Sequence, residues 1–491
     1  MPRILVANID NENMLADERA FTEDFCLSSS LTAGRMAWFA QPGDVVVLPR
    51  DLSPDFKNYM ARLTGYSAEC VHFVTPNWGD LQFRPLGSRE LLRPEIVDRL
   101  TGRMERPADW SLYPYCYERG VQQLAEALGL GLGDGIRPFM RQGGAELLND
   151  KRIFRSLAAG RGIAIAEGAV CSRLRDLLKS VTLLLPLTGA VIVKQDRHSG
   201  GLGNLIISQV RDISGQGAMQ VYLVDEETPV EAVCRVVWER LAYLDRAPLI
   251  VEAYYSVTAA ITAEYRIDSK RNAISFLNCG EVRQAPILSG LIMPLALPPY
   301  QSAAFISGAA ELARLYCDLG YDGLVNIDGI VTDLGQVIYN EVNGRVGGCS
   351  HIHHIMETVA GPGYGDLLVV ASHSRTVSVS LSRVLEILDS RRLAFDATAG
   401  RGVVLTAEDT SGSGFLEYLS IAPTREEAMR VETEFESVLI AEGYEETRGG
   451  VEHLANIVAH LTAGRSDHLP DAASDDPDLR QKTAGKSRAA D

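Results

Sequence analysis

Residues 337–348 read VIYNEVNGRVGG, a strand-like run that ends in a carboxylate and an amide just before a glycine-rich turn. Side chains two apart in a strand point to the same face. Glu341 and Asn343 are therefore predicted to project together, on the same side as Val337 and Tyr339. A half-buried strand that ends in two aligned oxygen-bearing side chains indicates a site that uses both of them.

A second strand-like run, LVNIDGIVT, precedes this one across a short turn. If the tight turn is centred on Leu334-Gly335, Asp328 lies opposite Glu341 and Asn326 lies opposite Asn343, with Cβ atoms roughly 5 Å apart. A three-residue turn would shift this register by one. Opposed carboxylates need neutralisation, and Mg²⁺ prefers oxygen ligands. The hairpin therefore predicts magnesium ligands at Asp328, Glu341 and Asn343; the alternative is a surface hairpin with solvated acids.

Two lysines stand where an anion could bind. Lys194 ends the apolar run AVIVK and opens a loop with several glycines, whose backbone N–H groups can turn toward phosphate oxygens. Lys151 lies in the first turn of a predicted helix that Asn149 or Asp150 caps, where it can reach out to a phosphate. Each feature alone is also compatible with a plain solvated lysine or an ordinary loop.

A further buried strand, LIVEAYY, ends in the carboxylate of Glu252 and continues into aromatic residues. A strand that leaves a domain at this point can offer backbone groups and a carboxylate to an adenine ring. The alternative is a strand-end glutamate without a ligand.

The chain has 491 residues, of which 46% are hydrophobic, and a net charge of −17. The length allows about three domains. The acidic balance argues against a general nucleic-acid binder. The N-terminus resembles a first strand, not a leader, and no apolar run is long enough for a membrane helix, so we expect a cytoplasmic protein without membrane contact. The eight cysteines stand singly, so a zinc ribbon or redox pair has no support.

The order of apolar runs predicts an α/β fold in several units. RILVANI, GDVVVLP and CVHFVTP are short buried strands of an N-terminal α/β domain, residues 1–147. Residues 148–365 form a second, strand-rich domain, and residues 366–466 a small α+β domain. Residues 467–491 have the composition of a disordered tail.

The order and spacing of these features carry a resemblance. A helix opened by Asn-Asp-Lys is followed by a strand-Lys-Gly loop, then strand-Glu, then Asp and, thirteen positions on, Glu-x-Asn. This arrangement resembles the ATP-grasp superfamily of carboxylate–amine ligases across roughly residues 148–350. The resemblance implies a Rossmann-like pre-ATP-grasp domain, a two-subdomain ATP-grasp core with a mobile lid at roughly 165–250, and the small C-terminal domain.

The resemblance also implies roles for single residues. Two magnesium ions, for which manganese can substitute, would be held by Asp328, Glu341 and Asn343. Cations near the transferred phosphoryl group or the substrate carboxylate would be Arg266, Arg283 and Arg345. ATP would be bound by Lys151, Lys194, the loop residues Ser199, Gly200, Gly201 and Gly203, the hinge residues Glu252 and Tyr254, and Glu264 at the ribose. The loop reads HSGGLGN, which departs from the usual serine- and glycine-rich form.

Among subfamilies, NGRVGGCSHIHHI and the third domain are similar to the peptide ligase of pheganomycin biosynthesis and its actinobacterial relatives. This implies an ADP-forming ligase that joins a non-proteinogenic, guanidino-type acid to the amine of a peptide through an acyl phosphate, in antibiotic biosynthesis. Its substrates would be a small carboxylic acid and a peptide, and a homodimer remains open. The alternatives are an ATP-grasp carboxylase, an acyl-phosphate-forming kinase, and a silent ATP-binding scaffold.

The histidines of HIHHI raise a separate alternative. His351, His353 and His354 could suggest zinc, since ligands at i and i+3 on a helix are geometrically possible. No further pair of His or Cys residues completes a tetrahedral set in the sequence. The lining of a substrate pocket and a structural role both remain open for them.

Overall fold

The computed structural model describes residues 1–15, 18–79, 83–130, 138–198, 200–242 and 248–442. Ser199, the predicted tail at 467–491 and the last part of the predicted C-terminal domain lie outside these ranges. The described helices and strands form three sheets with helices packed against them. Within the described residues, no helix is long and apolar enough to cross a membrane.

The N-terminal sheet has four parallel strands in the order β3-β2-β1-β4. Both of its faces are buried: Ile4 and Val6 pack into one core, and Leu5 and Ala7 into another. Burial on two faces explains why these strands read as continuous apolar runs. The elements are β1 Arg3–Val6, α1 Glu23–Ala33, β2 Val45–Val47, α2 Pro54–Thr64, β3 His72–Val74, α3 Ser88–Leu91, α4 Pro94–Thr101, β4 Ser111–Pro114, α5 Arg119–Ala127, α6 Pro138–Arg141 and α7 Gly144–Leu148.

The second sheet has five strands in the order β5-β9-β6-β7-β8. On one face, Val191 and Val193 pack with residues of two helices, α9 and α10, in an apolar core. On the other face, Ile192 and Ile206 pack against Tyr254. The elements, with the helix that precedes them, are α8 Lys151–Gly160, β5 Gly168–Cys171, α9 Leu174–Thr188, β6 Ala190–Gln195, β7 Asn204–Ser208, β8 Gln220–Leu223, α10 Val230–Leu241 and β9 Leu249–Ala253.

The third sheet has eight strands in the order β14-β13-β10-β11-β12-β15-β17-β16. The strands of the predicted C-terminal domain join it directly, because Ile292 of β12 pairs with Ala371 of β15. The elements are β10 Val257–Asp268, β11 Ala273–Gln284, β12 Leu288–Met293, α11 Pro299–Leu319, β13 Gly323–Thr332, β14 Val337–Asn343, α12 Ser350–Val359, β15 Val369–Thr376, α13 Leu381–Ser390, β16 Gly402–Asp409, β17 Phe415–Ala422 and α14 Arg425–Ala441.

The hairpin of β13 and β14 has the predicted register where it matters: Asp328 pairs with Glu341, and Asn326 with Asn343. The assumed two-residue turn is wrong, because the Thr332 N–H donates to the Gln336 carbonyl across a three-residue loop. Near this loop the pairing is therefore shifted by one residue. A β-bulge between Tyr339 and Glu341 then restores the predicted pairs.

The same bulge corrects a second expectation. Tyr339 packs with Val342 in the core beneath α11, and Val337 packs at the edge of that core. Glu341 and Asn343 line a cavity instead. The prediction that Val337 and Tyr339 share their face is therefore wrong, because the extra residue, Asn340, reverses the alternation of side chains along the strand.

Candidate functional site

A cavity of about 410 Å³ lies where the three sheets meet. Its walls come from α1, the five-stranded sheet with its glycine-rich loop, the β13–β14 hairpin, and strands β12, β15 and β17. The sequence-predicted residues that line it are Lys151, Lys194, Gly200, Gly201, Glu252, Tyr254, Asp328, Glu341, Asn343 and Arg345. Most of the predicted site is thus gathered in one place.

The acidic side chains of the hairpin face each other in this cavity. The Asn343 amide nitrogen donates to Asp328 at 3.0 Å, and the Asn343 amide oxygen accepts from Arg345 at 2.9 Å. Burial and the neighbouring Glu341 raise the pKa of Asp328 to about 7. Burial alone would raise the pKa of Glu341, but Lys151 and, further off, Lys194 and Arg345 lower it to about 2. The pair therefore resists carrying two negative charges without a further cation.

Lys151 connects the hairpin to the glycine-rich loop. It is the first residue of α8, and its Nζ lies 2.9 Å from Glu341 Oε2 and donates to the His198 carbonyl at 3.0 Å. Lys151 is 8% exposed, so its charge acts in a largely desolvated setting. We name Lys151, Asp328, Glu341 and Asn343 the hairpin cluster.

Lys194 and Glu252 form a second charged pair on adjacent strands. Lys194 Nζ lies 2.6 Å from Glu252 Oε2, and Arg155 of α8 binds the other oxygen of Glu252. Glu252 is 4% exposed. Because Glu252 has two cationic partners, it stays paired when either cation turns to a ligand.

The glycine-rich loop brings backbone to the cavity. Gly200 and Gly201 line it and have φ values of 65° and 85°, which favour glycine. Gly203 lies behind the loop, where a Cβ would come within 2.7 Å of His198. Close approach of backbone to a ligand is the use that such glycines have.

Tyr254 follows β9 at the predicted hinge. Its N–H donates to the Ala190 carbonyl at 3.0 Å, and its hydroxyl donates to the Gln216 carbonyl at 2.9 Å. The ring packs on Ile192, which also lines the cavity. This apolar wall with strand-end backbone suits a flat heterocycle.

Besides Gly203, three predicted residues do not line the cavity. Arg266 is exposed on β10, and Arg283 pairs with Glu432 of α14 at 2.8 Å and 2.9 Å. Glu264 is fully buried, where it accepts from Ser350 and, at 2.6 Å, from Asn278. A ribose-binding role for Glu264 and phosphoryl-binding roles for Arg266 and Arg283 are therefore not supported. Arg345 does line the cavity, where it donates to the Tyr115 hydroxyl at 3.0 Å.

The cavity also has charged residues that the sequence did not single out. Arg35 follows α1 in a 3₁₀ helix, and Glu417 lies in β17; the two form an ion pair that lines the cavity. His351, at the start of α12, lies 3.6 Å from Glu417. We name Arg35, His351 and Glu417 the interdomain cluster. The only signal for it was a charged residue within the apolar strand FLEYLSIA.

The other two histidines of HIHHI have separate surroundings. His353 Nδ1 lies 3.1 Å from the Tyr364 hydroxyl, and His354 stacks on Phe39 at 5.0 Å between ring centroids. Among the described residues, the grouping suited to a metal by its geometry is His373, Glu432 and Glu436. The structure therefore does not gather the three histidines around one point.

Comparisons with known proteins agree with this architecture. Residues 33–130 match the family described as the pre ATP-grasp domain, and residues 383–435 match the PGM1 C-terminal domain. No curated protein sequence matches the chain.

Solved structures are similar over most of the chain. The biotin carboxylase domain of the 2-oxoglutarate carboxylase of Hydrogenobacter thermophilus, with ADP, magnesium and bicarbonate, has a TM-score of 0.53 at 14% identity over 90% of each chain. An ADP complex of N5-carboxyaminoimidazole ribonucleotide synthetase has a TM-score of 0.50 at 12% identity, over 89% of this chain and 96% of that one. The α/β fold class is thereby confirmed, with a pre-ATP-grasp domain and an ATP-grasp-like core.

Proposed function

We propose that this protein is an ATP-dependent carboxylate–amine ligase that forms an acyl phosphate and releases ADP. The observation that carries the proposal is the hairpin cluster, in which two opposed carboxylates meet Lys151 beside a glycine-rich loop and Arg345 in one cavity. Phosphoryl transfer needs positioning and charge neutralisation more than a protein nucleophile, and this cavity supplies both.

ATP fits the part of the cavity between the five-stranded sheet and the hairpin. The adenine ring would lie on Ile192 and Tyr254 beside the strand-end backbone. Lys151 and Lys194 would each exchange part of an internal ion pair for a phosphate oxygen. The N–H groups of Gly200 and Gly201 would add to this binding.

Magnesium fits the hairpin cluster by the chemistry of its donors. Asp328, Glu341 and, after rotation of its amide, Asn343 offer hard oxygen atoms. Burial and the neighbouring Glu341 raise the pKa of Asp328 to about 7, which supports a cation between the two carboxylates. These residues would hold two ions, for which manganese could substitute. Metal ions held by these residues would supply positive charge that neutralises the phosphates of ATP.

The reaction then has two steps. A carboxylate oxygen of the acid attacks the γ phosphorus, the bond to the ADP oxygen breaks, and an acyl phosphate forms. The amine nitrogen next attacks the acyl carbon, phosphate leaves, and the amine releases a proton. Arg345, which lines the cavity and donates to the Tyr115 hydroxyl, would orient the carboxylate, and the loop over the phosphates would exclude water.

The finer identity of the substrates is part of the proposal. We infer a small, non-proteinogenic acid and a peptide amine, as in the biosynthesis of peptide antibiotics. In support, the cavity continues past the hairpin to β12, β15 and β17, which leaves room for an extended second substrate.

A trapping experiment tests this function. The protein is incubated with Mg²⁺, ATP, hydroxylamine and a panel of amino and guanidino acids, and then with peptides in place of hydroxylamine. We expect ADP with a hydroxamate in the first case, and ADP with an amide in the second. AMP with pyrophosphate, or tight ATP binding without turnover on any acid, would contradict the proposal.

A further inference from the structure

The interdomain cluster joins three parts of the chain that are distant in sequence. Arg35 Nε donates to Glu417 at 3.0 Å, and Arg35 Nη2 donates to the other oxygen of the same carboxylate. The Thr406 hydroxyl also donates to Glu417, at 2.6 Å. Both carboxylate oxygens are therefore engaged, and Glu417 fixes the guanidinium in one orientation.

Arg35 has N–H groups that the pairing with Glu417 does not use and that a ligand could accept from. A guanidinium has five N–H groups, and the side-on pair with Glu417 uses two of them. Arg35 lines the cavity with its side chain 26% exposed, so the remaining groups are within reach of a bound molecule.

Two deeply buried side chains add unpartnered polar atoms on the same cavity. Ser29 is 3% exposed and His351 is 2% exposed, and both line the cavity. Ser29 Oγ and His351 Nε2 have no hydrogen-bond partner among the residues that the structure describes. His351 Nε2 is 3.6 Å from Glu417, which is too far for a hydrogen bond. Buried polar atoms of this kind are normally satisfied, so they indicate a ligand that completes them.

The charges on this wall decide the class of ligand. The guanidinium groups of Arg35 and Arg345 are balanced by the carboxylates of Glu417 and Asp10, which also lines the cavity. A balanced wall suits a zwitterion better than a doubly charged acid. The free donors at Arg35, Ser29 and His351 suit the carboxylate of that zwitterion.

We propose that Arg35, oriented by Glu417, binds a carboxylate of the amine substrate that the reaction does not consume, such as the C-terminus of a peptide. This inference rests on the proposed ligase function and names the chemistry of its second substrate. The acid that is activated lies at the hairpin cluster with Arg345. Arg35 is paired with Glu417 of β17, which lies toward the other end of the eight-stranded sheet from β13 and β14.

The first experiment uses the unmodified full chain. The acid that forms hydroxamate fastest is offered with trialanine or with trialanine amide, and amide product is measured. We expect kcat/KM to be at least about tenfold higher for trialanine, because hydrogen bonds to a charged group are lost in the amide. Equal rates, or a requirement for a second carboxylate on the acid instead, would overturn the inference.

The second experiment removes the buried pair as a unit, so that no lone charge remains. In Arg35→Met/Glu417→Gln, we expect the preference for trialanine to disappear through a higher KM, while hydroxamate formation stays unchanged. A preference that persists would overturn the inference. If the unmodified chain forms no hydroxamate with any acid, the proposed function is refuted, and the inference that rests on it is refuted as well.

A matched control comes from a second ion pair between the same parts of the chain. Arg50 pairs with Asp409 of β16, with side chains 28% and 4% exposed, and neither residue lines the cavity. Arg50→Met/Asp409→Asn should lose stability to a similar degree and keep the preference for trialanine. If this control variant also loses the preference for trialanine, the loss reflects a general destabilisation of the contact between these parts of the chain, and the inference is overturned.

Discussion

The hairpin cluster and the interdomain cluster line one cavity but are built in different ways. Asp328, Glu341 and Asn343 sit on two adjacent strands joined by a three-residue loop. Arg35 and Glu417 are 382 residues apart in the chain. Chemistry on a hairpin can be found from spacing alone, whereas chemistry assembled from distant segments needs the whole fold.

The two clusters also have different proposed roles. The hairpin cluster carries the charge that activates the acid, and its geometry depends on one short stretch of backbone. The interdomain cluster selects the second substrate, and its geometry depends on how the N-terminal segment meets β17. Changes to the first should affect all turnover, and changes to the second should affect the choice of amine.

The largest expected effect comes from the backbone of the hairpin. Deletion of Val342, which packs in the core, places Asn343 directly after Glu341, so Asn343 would turn from the cavity toward the core. We expect no ligase activity and a loss of more than about 4 kcal/mol in stability, since a buried valine is lost and an amide enters an apolar core. Activity assays with chemical denaturation check this.

Leu334, which is 82% exposed at the tip of the same hairpin, offers the control. Leu334→Ser should leave activity and stability nearly unchanged. Substantial activity in the Val342 deletion would show that the reaction does not need Asn343 in the cavity.

A substitution in the hairpin cluster should act on turnover with the fold preserved. Glu341→Gln removes one negative charge from the magnesium site, and kcat should fall by about a hundredfold or more, as is common when transition-state charge stabilisation is lost. Glu281→Gln is the matched control, because Glu281 pairs with Arg425 away from the cavity. Near-normal turnover in the Glu341 variant would refute the metal assignment.

Lys194 should contribute mainly to nucleotide affinity. In Lys194→Ala, Glu252 keeps its pairing with Arg155, so the fold should persist. We expect the Kd for ATP to rise by about 10- to 100-fold, the worth of one charge-assisted contact. Calorimetric titration measures it, with Lys179→Ala, on the exposed side of α9, as control. Unchanged ATP affinity would remove Lys194 from the site.

A pH-dependent effect on stability, and not on turnover, concerns the side of the cavity near the interdomain cluster. Burial, and then Arg375 and Arg283, lower the pKa of His373 from 6.5 to about 4, with Glu432 acting in the opposite direction. The unfolded chain takes up this proton below pH 6.5 and the native one does not, so stability falls as the pH falls from 6.5 to 4. The loss from this group reaches up to about 3 kcal/mol.

The variant His373→Asn tests this assignment by thermal unfolding across the same pH range. Its stability should depend less on pH than that of the unmodified protein. An identical pH profile in the two proteins would show that His373 is not the group responsible.

Some parts of the fold could be predicted from the sequence, and others could not. Strands β1, β2 and β3 of the N-terminal sheet follow from local apolar patterns, and they lie where those patterns indicate. The pairing of Asp328 with Glu341 was also predicted, although through two errors that cancel. A longer turn shifts the register by one residue, and the bulge at Asn340 shifts it back.

The rest of the site could not be predicted from the sequence, for physical reasons. Arg283 and Glu264 have the residue types and strand positions of ligand-binding groups, but Glu432 of α14 pairs with Arg283, and the buried Ser350 donates to Glu264. Arg35 lies in no motif, and only long-range packing brings it to Glu417. Residue type and spacing report local geometry, whereas the partner of a charged side chain is set by the tertiary structure.

The most direct test of the account follows the oxygen atoms of the acid. An acid labelled with ¹⁸O in its carboxylate is converted with ATP and a peptide, and the phosphate products are analysed by mass spectrometry. Attack of the carboxylate on the γ phosphorus predicts one ¹⁸O atom in inorganic phosphate and none in ADP. Label in AMP, or no transfer of label to phosphate during amide formation, would contradict the acyl-phosphate mechanism that we assign to this cavity.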